Sequence, residues 1–210
     1  MRIGIIGAGN VGGALASAAT TAGHEVTVTA ANQEHAAKVA EQTGATVAAN
    51  PAEAAQGAHV AVLAVPAAAA AEVLGQLGYA AVDGTVIVDV TNPLNDTYSD
   101  LTTSGTSHAE QLAAGAPQAK LVKAFNTILA PRLGNPNEDG QLLDGFYAGD
   151  DEAAKNTVAQ LLGSLGFRPI DAGGLRMARS LEELGFLNIS LNARNGWSWQ
   201  SGWKLVGPTA

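Results

Sequence analysis

Gly7-Ala8-Gly9-Asn10-Val11-Gly12 is the feature that leaves this chain the least freedom. It follows Ile3-Gly4-Ile5-Ile6, a strand-like run, and leads straight into an alanine-rich helical segment. A second β-rich run begins near Glu25. Alone, a G-x-G-x-x-G motif is weak; between a strand and a helix it demands a β-α-β unit. Gly7 permits the tight turn, Gly9 leaves room for a pyrophosphate, and Gly12 lets helix and strand pack closely. Phosphate oxygens placed there meet unpaired N–H groups at the positive end of a helix dipole.

The rest of the chain continues the alternation. Strands are expected at 2–6, 25–29, 46–48, 59–64, 85–90 and 120–124, and helices at 10–22, 33–43, 51–56, 66–77 and 107–114. Gly23 and Gly44 stand where left-handed helix ends are wanted. Asn50, with Pro51 next and Glu53 three residues on, reads as an N-cap with a first-turn proline and a reaching carboxylate. The stretches 60–64 and 86–90 are nearly continuous apolar runs, as expected of parallel strands covered on both faces. The pattern predicts an α/β fold, a doubly wound parallel sheet of Rossmann type. Past residue 130 the character changes. An exposed loop is expected at 134–140, then a strand at 145–148, a helix at 151–165, a short strand at 168–171 and a last helix at 175–194. All three tryptophans follow that helix. Residues 1–130 are read as the dinucleotide-binding domain, and 131–210 as a small α/β extension packed on it for acceptor binding and dimerisation.

Composition narrows the function. The chain has 210 residues, enough for one domain or somewhat more, and its 47% hydrophobic and 14% charged content rules out disorder. Its 42 alanines and 25 glycines suit helices lying close on both faces of a sheet. A net charge of −8 argues against nucleic acid or an anionic membrane as partner. With no cysteine there is no thiolate nucleophile, zinc-thiolate site or cysteine-ligated cluster, so no metal site is expected and redox work calls for an organic cofactor. The longest apolar stretch, 60–71, is interrupted by Pro66, whereas a membrane helix needs about 20 residues. The chain enters a strand at once, so no targeting segment is expected, and a soluble cytoplasmic protein follows. Charge is divided unevenly: residues 1–119 hold two basic and ten acidic side chains, and residues 120–210 nine of each.

The end of the second strand bears on the cofactor. An NAD site places Asp or Glu there to bind the adenosine ribose. This chain has Thr29-Ala30-Ala31-Asn32-Gln33, with no acid before Glu34. A carboxylate about 4 Å from a 2′-phosphate would cost on the order of 1–4 kcal/mol, so its absence removes an obstacle to NADP. The usual arginine is absent too. Thr29, Asn32, His35 and Lys38 are the candidate phosphate contacts, the last two being also ordinary solvated helix residues.

The chain resembles the NADP oxidoreductases dependent on the deazaflavin coenzyme F420. It is also similar to the reductase domain of the six-transmembrane metalloreductases. The resemblance is carried by Gly7 to Gly12, Gly23-His24-Glu25-Val26, Leu63-Ala64-Val65-Pro66 and Asp89-Val90-Thr91-Asn92-Pro93. It continues through Lys123-Ala124-Phe125-Asn126-Thr127-Ile128 and Gly149-Asp150-Asp151 to the stretch from Gly166 to Gly173. It implies a homodimer, with NADP across the carboxyl ends of the strands and the nicotinamide near Ala64, Val65 and Pro66 and near Phe125, Asn126 and Thr127. A deazaflavin (coenzyme F420) or a flavin (FMN or FAD) would stack on it as hydride acceptor, in a cleft closed by the C-terminal segment. The deazaflavin enzymes tend to carry serine and arginine at the positions of Ala30 and Ala31, and often histidine at that of Asn126. The metalloreductase domains share Ala-Phe-Asn there and pass hydride to a flavin.

Hydride transfer between stacked rings asks for positioning, worth roughly 7–11 kcal/mol, and little acid–base work. That suits a sequence without a nucleophile elbow or a paired-histidine metal motif. Pro66, pressing the loop on the nicotinamide, and Asn126, bonding a carboxamide or flavin edge, are the expected catalytic positions. Gly7, Ala8, Gly9, Asn10, Val11, Gly12, Thr29, Asn32, Ala64, Val65, Asn92 and Phe125 are the expected cofactor-binding ones. Simpler roles stand beside these: a helix-opening proline for Pro66, a plain turn for Asn92, loop capping for Asn126. Arg176 and Arg179 meet an acceptor phosphate or pair with Glu182 or Glu183, and the tryptophans form core or interface. The alternative is a dehydrogenase or imine reductase acting on a small carbonyl or imine. That class usually carries a lysine on the long helix after the Rossmann domain, where this chain has Asn188 and Asn192. A non-catalytic NADP-binding regulator is a third reading.

Overall fold

The computed structural model describes residues 1–78 and 83–207, so the last three positions of the expected 131–210 segment lie outside it. Ten strands and eight helices are found among the described residues. In the first half they run β1 (Arg2–Ile6), α1 (Asn10–Thr21), β2 (Glu25–Thr29), α2 (Gln33–Thr43), β3 (Thr46–Val47), α3 (Pro51–Ala55), β4 (Val60–Leu63), α4 (Ala67–Gln76) and β5 (Val86–Asp89). Then come α5 (His108–Gly115), β6 (Lys120–Ala124), α6 (Ala130–Leu133), β7 (Asn137–Glu138), β8 (Gln141–Leu142), β9 (Asp144–Gly149), α7 (Glu152–Ser164), β10 (Arg168–Asp171) and α8 (Ala178–Asn195).

Eight strands make one sheet in the order β10-β9-β6-β5-β4-β1-β2-β3. Neighbours from β3 to β6 are parallel, and β9 joins β6 antiparallel with β10 parallel to β9. The doubly wound reading therefore holds, and two of the four strands of the C-terminal α/β extension, β9 and β10, join the same sheet, while β7 and β8 pair apart. Strand order reverses at β1 and β4, the switch point outside which such sheets bind ligands.

Alternate residues explain the two layers. Ile5, Val28, Val62, Val88 and Val122 point into one core with Leu15 of α1 and Val158 and Leu161 of α7. Ile6, Leu63, Ile87 and Leu121 point into the other with Leu74 of α4 and Leu112 of α5. A third, smaller cluster joins Phe146 and Ala148 of β9 to Leu181 of α8, with Trp203 packed against it.

The expected helix ends are present: Gly23 and Gly44 take φ of 83° and 80°, and Asn50 accepts the Glu53 N–H at 2.9 Å. Several expectations are corrected. The stretch 134–140 is not loop throughout, because Asn137–Glu138 pairs with Gln141–Leu142 across a turn whose Gly140 N–H donates to Asn137 Oδ1 at 2.9 Å. Four-residue α6 carried no periodicity to read. The last helix opens as a 3-10 turn, Leu175–Met177, before α8 proper. Some strand ends differ from expectation by one residue: β3, β4 and β5 are shorter than expected, and β9 runs from Asp144 to Gly149.

Candidate functional site

The glycine turn has the geometry its sequence called for. Gly7 sits at φ 120°, and a Cβ there would collide with the Ala64 carbonyl; one on Gly12 would collide with the Gly7 carbonyl. A Cβ on Gly9 would meet nothing within 4 Å, so the space in front of it is open. Helices α2, α3, α5 and α7 have their first-turn N–H groups met by the side chains of Asn32, Asn50, Ser107 and Asp151. Helix α1 starts at Gly9 without a side-chain cap and with no acid in its first turn. Helix α4, which starts at Pro66, is likewise without a side-chain cap. These two helices follow β1 and β4, so unpaired donors face the switch point.

Beside this turn lies a cleft of about 450 Å³. Thr29 at the end of β2, with Ala30 and Ala31 after it, forms one wall; Val65, Pro66 and α4 as far as Gln76 form the other, with Ile6 between them. The structure thus brings together Thr29, Val65 and Pro66 of the expected residues. Asn32 stands just outside, its Oδ1 accepting the Glu34 N–H at 2.9 Å. Thr29 is buried, its hydroxyl 3.3 Å from Gln33 Nε2. That amide also donates to the Ala30 and Ala49 carbonyls at 3.0 and 3.1 Å. Sequence reading passed over Gln33, which ties the end of β2 to the loop after β3.

Asn92 and Asn126 meet elsewhere, under α8. Asn126 Nδ2 donates to Asn92 Oδ1 at 2.9 Å and to the Leu181 carbonyl at 2.8 Å. Asn92 Nδ2 returns a bond to the Asn126 carbonyl at 2.8 Å. Gly185 of α8 lies directly on this pair, and a Cβ there would come within 2.7 Å of Asn92 Oδ1. Asn126 Oδ1 and the Thr127 hydroxyl are buried with no hydrogen-bond partner among the described residues, at the end of β6. Phe125 sits at φ 63°, a strained position for a non-glycine residue, and its ring is buried in the core.

Beneath lies a charge network that sequence reading did not single out. Lys123, Asp89 and Glu182 have side chains 0, 0 and 1% exposed. The sheet register sets Lys123 opposite Asp89. Lys123 Nζ is 2.9 Å from Asp89 Oδ2 and 3.0 Å from Glu182 Oε1, and it donates to the Thr91 carbonyl at 2.6 Å. Glu182 also accepts the His108 and Ala109 N–H groups at the start of α5, at 3.0 and 3.3 Å. Burial by itself raises the Asp89 carboxyl. The Lys123 charge, with hydrogen bonds from His108, Lys123 and the Thr91 N–H, outweighs burial and holds it well below the usual carboxylate range. The available signal was one acid and one lysine of opposite charge ending two adjacent apolar strands.

One surface expectation changes. Arg179 pairs with neither Glu182 nor Glu183; it forks onto Glu110 of α5 at 2.7 and 2.8 Å, because Glu182 faces inward to Lys123. The Arg179 hydrogen bond, with those from Ser107, lowers the Glu110 carboxyl to about 2 against the cost of burial. His24 and His59 serve as structural bonds, to Met1 and Ser164 and to the Arg2 N–H. The segment after α8 folds back on β9. The Asp144 N–H donates to the Trp203 carbonyl at 2.9 Å, and the Leu205 N–H donates to Asp144 Oδ2 at 2.6 Å. Trp197 and Trp199 stay exposed.

Taken together, the glycine turn, the uncapped helix and the cleft at the switch point define a Rossmann-type oxidoreductase domain that binds a dinucleotide. The family model for NADP oxidoreductase, coenzyme F420-dependent, matches residues 2–93. The F420-dependent NADP reductase of Methanothermobacter marburgensis is 31% identical across 93% of this chain and 94% of its own length. The chain belongs to this family of F420-dependent NADP oxidoreductases. A solved structure from Arthrobacter sp. FB24, assigned as an F420-dependent NADP reductase, superposes with a TM-score of 0.85 at 31% identity, covering 98% of this chain and 100% of that one. Metalloreductase STEAP3 of Rattus norvegicus is 38% identical over 101 residues, 48% of this chain; the match spans 20% of that longer protein. No described helix is long and apolar enough to cross a membrane.

Proposed function

We propose that this chain transfers hydride between NADP(H) and coenzyme F420, with FMN or FAD as the flavin acceptors to be tested beside it. The observation that carries the reading is the uncapped start of α1 facing open space at Gly9, next to a cleft of dinucleotide-binding position. The name of the Methanothermobacter relative supports the choice of F420. Bound there, NADP would supply the hydride chemistry of its nicotinamide. The protein's part is to hold and orient. The N–H groups of Asn10, Val11 and Gly12 face the pyrophosphate, with Gly7, Ala8 and Gly9 shaping the turn. Thr29 and Asn32 take the adenosine ribose. Ala64, Val65 and Pro66 would border the nicotinamide, and Asn92, Phe125 and Asn126, buried under α8 and in the core, would support that end of the strands from behind. Helix α8, seated on Asn92 and Asn126 through Gly185, excludes water from the strand ends.

The reading extends to a cytoplasmic homodimer in which residues 131–210 form the acceptor side and the subunit contact. In its favour, the outer face of α8 carries an open groove of about 650 Å³ with Phe186 and Leu187 along it. The alternative, reduction of a small carbonyl or imine, is less favoured because the buried face of α8 presents Asn188 and Asn192, which bond to each other and to Ser201 rather than offer a proton.

Incubating purified protein and NADPH with F420, FMN or FAD, while following absorbance, tests the proposal. Oxidation of NADPH by one of these acceptors is expected. Nucleotide binding without turnover on any of them, with turnover on a cyclic imine or small ketone instead, would establish the alternative.

A further inference from the structure

We infer that the adenosine cleft discriminates NADPH from NADH by less than tenfold, because neutral groups stand where a 2′-phosphate would lie. The inference rests on the dinucleotide reading above and narrows its cofactor. Thr29, Ala30 and Ala31 line the cleft at the end of β2, and Glu72 of α4 lines the opposite side. None of the described residues lining it is Lys, Arg or His. The undescribed residues, Tyr-Ala-Ala-Val at 79–82 and Pro-Thr-Ala at 208–210, include no cation either.

The nearest cations of the first half are occupied or placed elsewhere. Arg2 is at the N-terminal edge of the sheet, with Nε donating to the Gly57 carbonyl at 2.7 Å. His35 and Lys38 are exposed on α2 and do not line the cleft. Gln33 has its amide N–H groups spent on Thr29, Ala30 and Ala49. Asn32 keeps only Nδ2 for a ligand, its Oδ1 being the cap of α2.

A 2′-phosphate brings close to two negative charges. An arginine would meet them with paired, charged hydrogen bonds about twice as strong as those of neutral donors. Here it meets neutral donors, with Glu72 opposing from across the cleft. Equally, no carboxylate ends β2 to clasp the ribose hydroxyls of NADH or to repel the phosphate of NADPH. Neither form is strongly selected or rejected. Ala30 and Ala31 are therefore the specificity-determining positions, and they leave the choice open.

Calorimetric titration of the whole protein with NADPH and with NADH reads this directly. The expected ratio of the two Kd values is below tenfold, under about 1.4 kcal/mol. Ala31→Arg, at an exposed position, should raise the preference for NADPH at least tenfold by tightening NADPH while NADH binding stays unchanged. A wild-type ratio above tenfold in either direction, with tight binding of the better nucleotide, overturns the inference and leaves the dinucleotide reading standing. A ratio that Ala31→Arg does not move also overturns it, since the phosphate then lies elsewhere. Failure of both nucleotides to bind overturns the inference and the proposed function together.

Discussion

Replacing Lys123 by methionine removes the ammonium that joins two buried carboxylates while keeping roughly its volume. Nζ lies 2.9 Å from Asp89 and 3.0 Å from Glu182. At an effective dielectric constant near 20, each contact is worth about 5 kcal/mol of gross attraction. The lysine's own desolvation offsets much of this, and measured losses on breaking buried pairs run about 3–5 kcal/mol. That is the destabilisation expected here, with a fall in Tm of roughly 6–20 °C for a chain of this size. The pH dependence has a definite sign. The Asp89 carboxyl is depressed in the folded protein, so its contribution is present above the unfolded value near about 4 and is lost as pH falls below it. Without Lys123, the buried Asp89 carboxylate gains by taking up a proton, so the deficit of the variant should shrink between about pH 7 and about pH 5. Urea denaturation followed by far-UV circular dichroism measures both effects. A loss below about 1 kcal/mol, or a deficit that does not change with pH, would refute the argument that Lys123 holds both carboxylates. Glu182→Gln, which leaves the Lys123–Asp89 pair intact, should cost less than Lys123→Met.

Gly9→Asp should abolish NADPH binding without unfolding the protein, since its side chain points into open space and puts a carboxylate where the pyrophosphate belongs; unchanged affinity by calorimetry would count against the fingerprint. Gly185→Val should force α8 away from Asn92 and Asn126, lowering stability by about 2 kcal/mol or more and exposing that pair to solvent; unaltered Tm would show the helix is not seated as described. Arg179→Ala should cost about 1 kcal/mol at neutral pH. The Glu110 carboxyl is depressed to about 2, so this contribution fades as pH falls from its ordinary value toward that point; acid titration of both proteins by circular dichroism checks it. Deleting residues from Gly196 onward should spare NADPH binding yet destroy hydride transfer or dimerisation, and should lower stability because Asp144 loses Leu205 and Lys204; a stable, dimeric, fully active truncation would be the contrary result.

Much of the site was legible because it is local. The Gly7 to Gly12 turn, the strand before it and the helix after it are contiguous, and glycine's freedom at φ 120° is written into one residue. The apolar runs of β4 and β5 declare strands covered on both faces, and Asn50 marks a helix start by residue type alone. The motif order along the chain was enough to point to the family.

What the tertiary structure decided is long-range. Asn92 and Asn126, 34 residues apart, bond to each other and to a helix that begins more than 50 residues later. Sequence reading saw Glu182 as a surface partner for Arg179, because helical spacing offers only local neighbours. The fold turns Glu182 inward to Lys123 and hands Arg179 to Glu110, 69 residues away. A charged residue's partner depends on which face of its element is buried, and burial is fixed only when the whole sheet and its helices have packed. The sequence by itself determined that this chain is a Rossmann-type dinucleotide fold. Only the packed structure determined that its strand ends are held by a buried lysine between two acids, since that arrangement exists only when β5, β6, α5 and α8 meet.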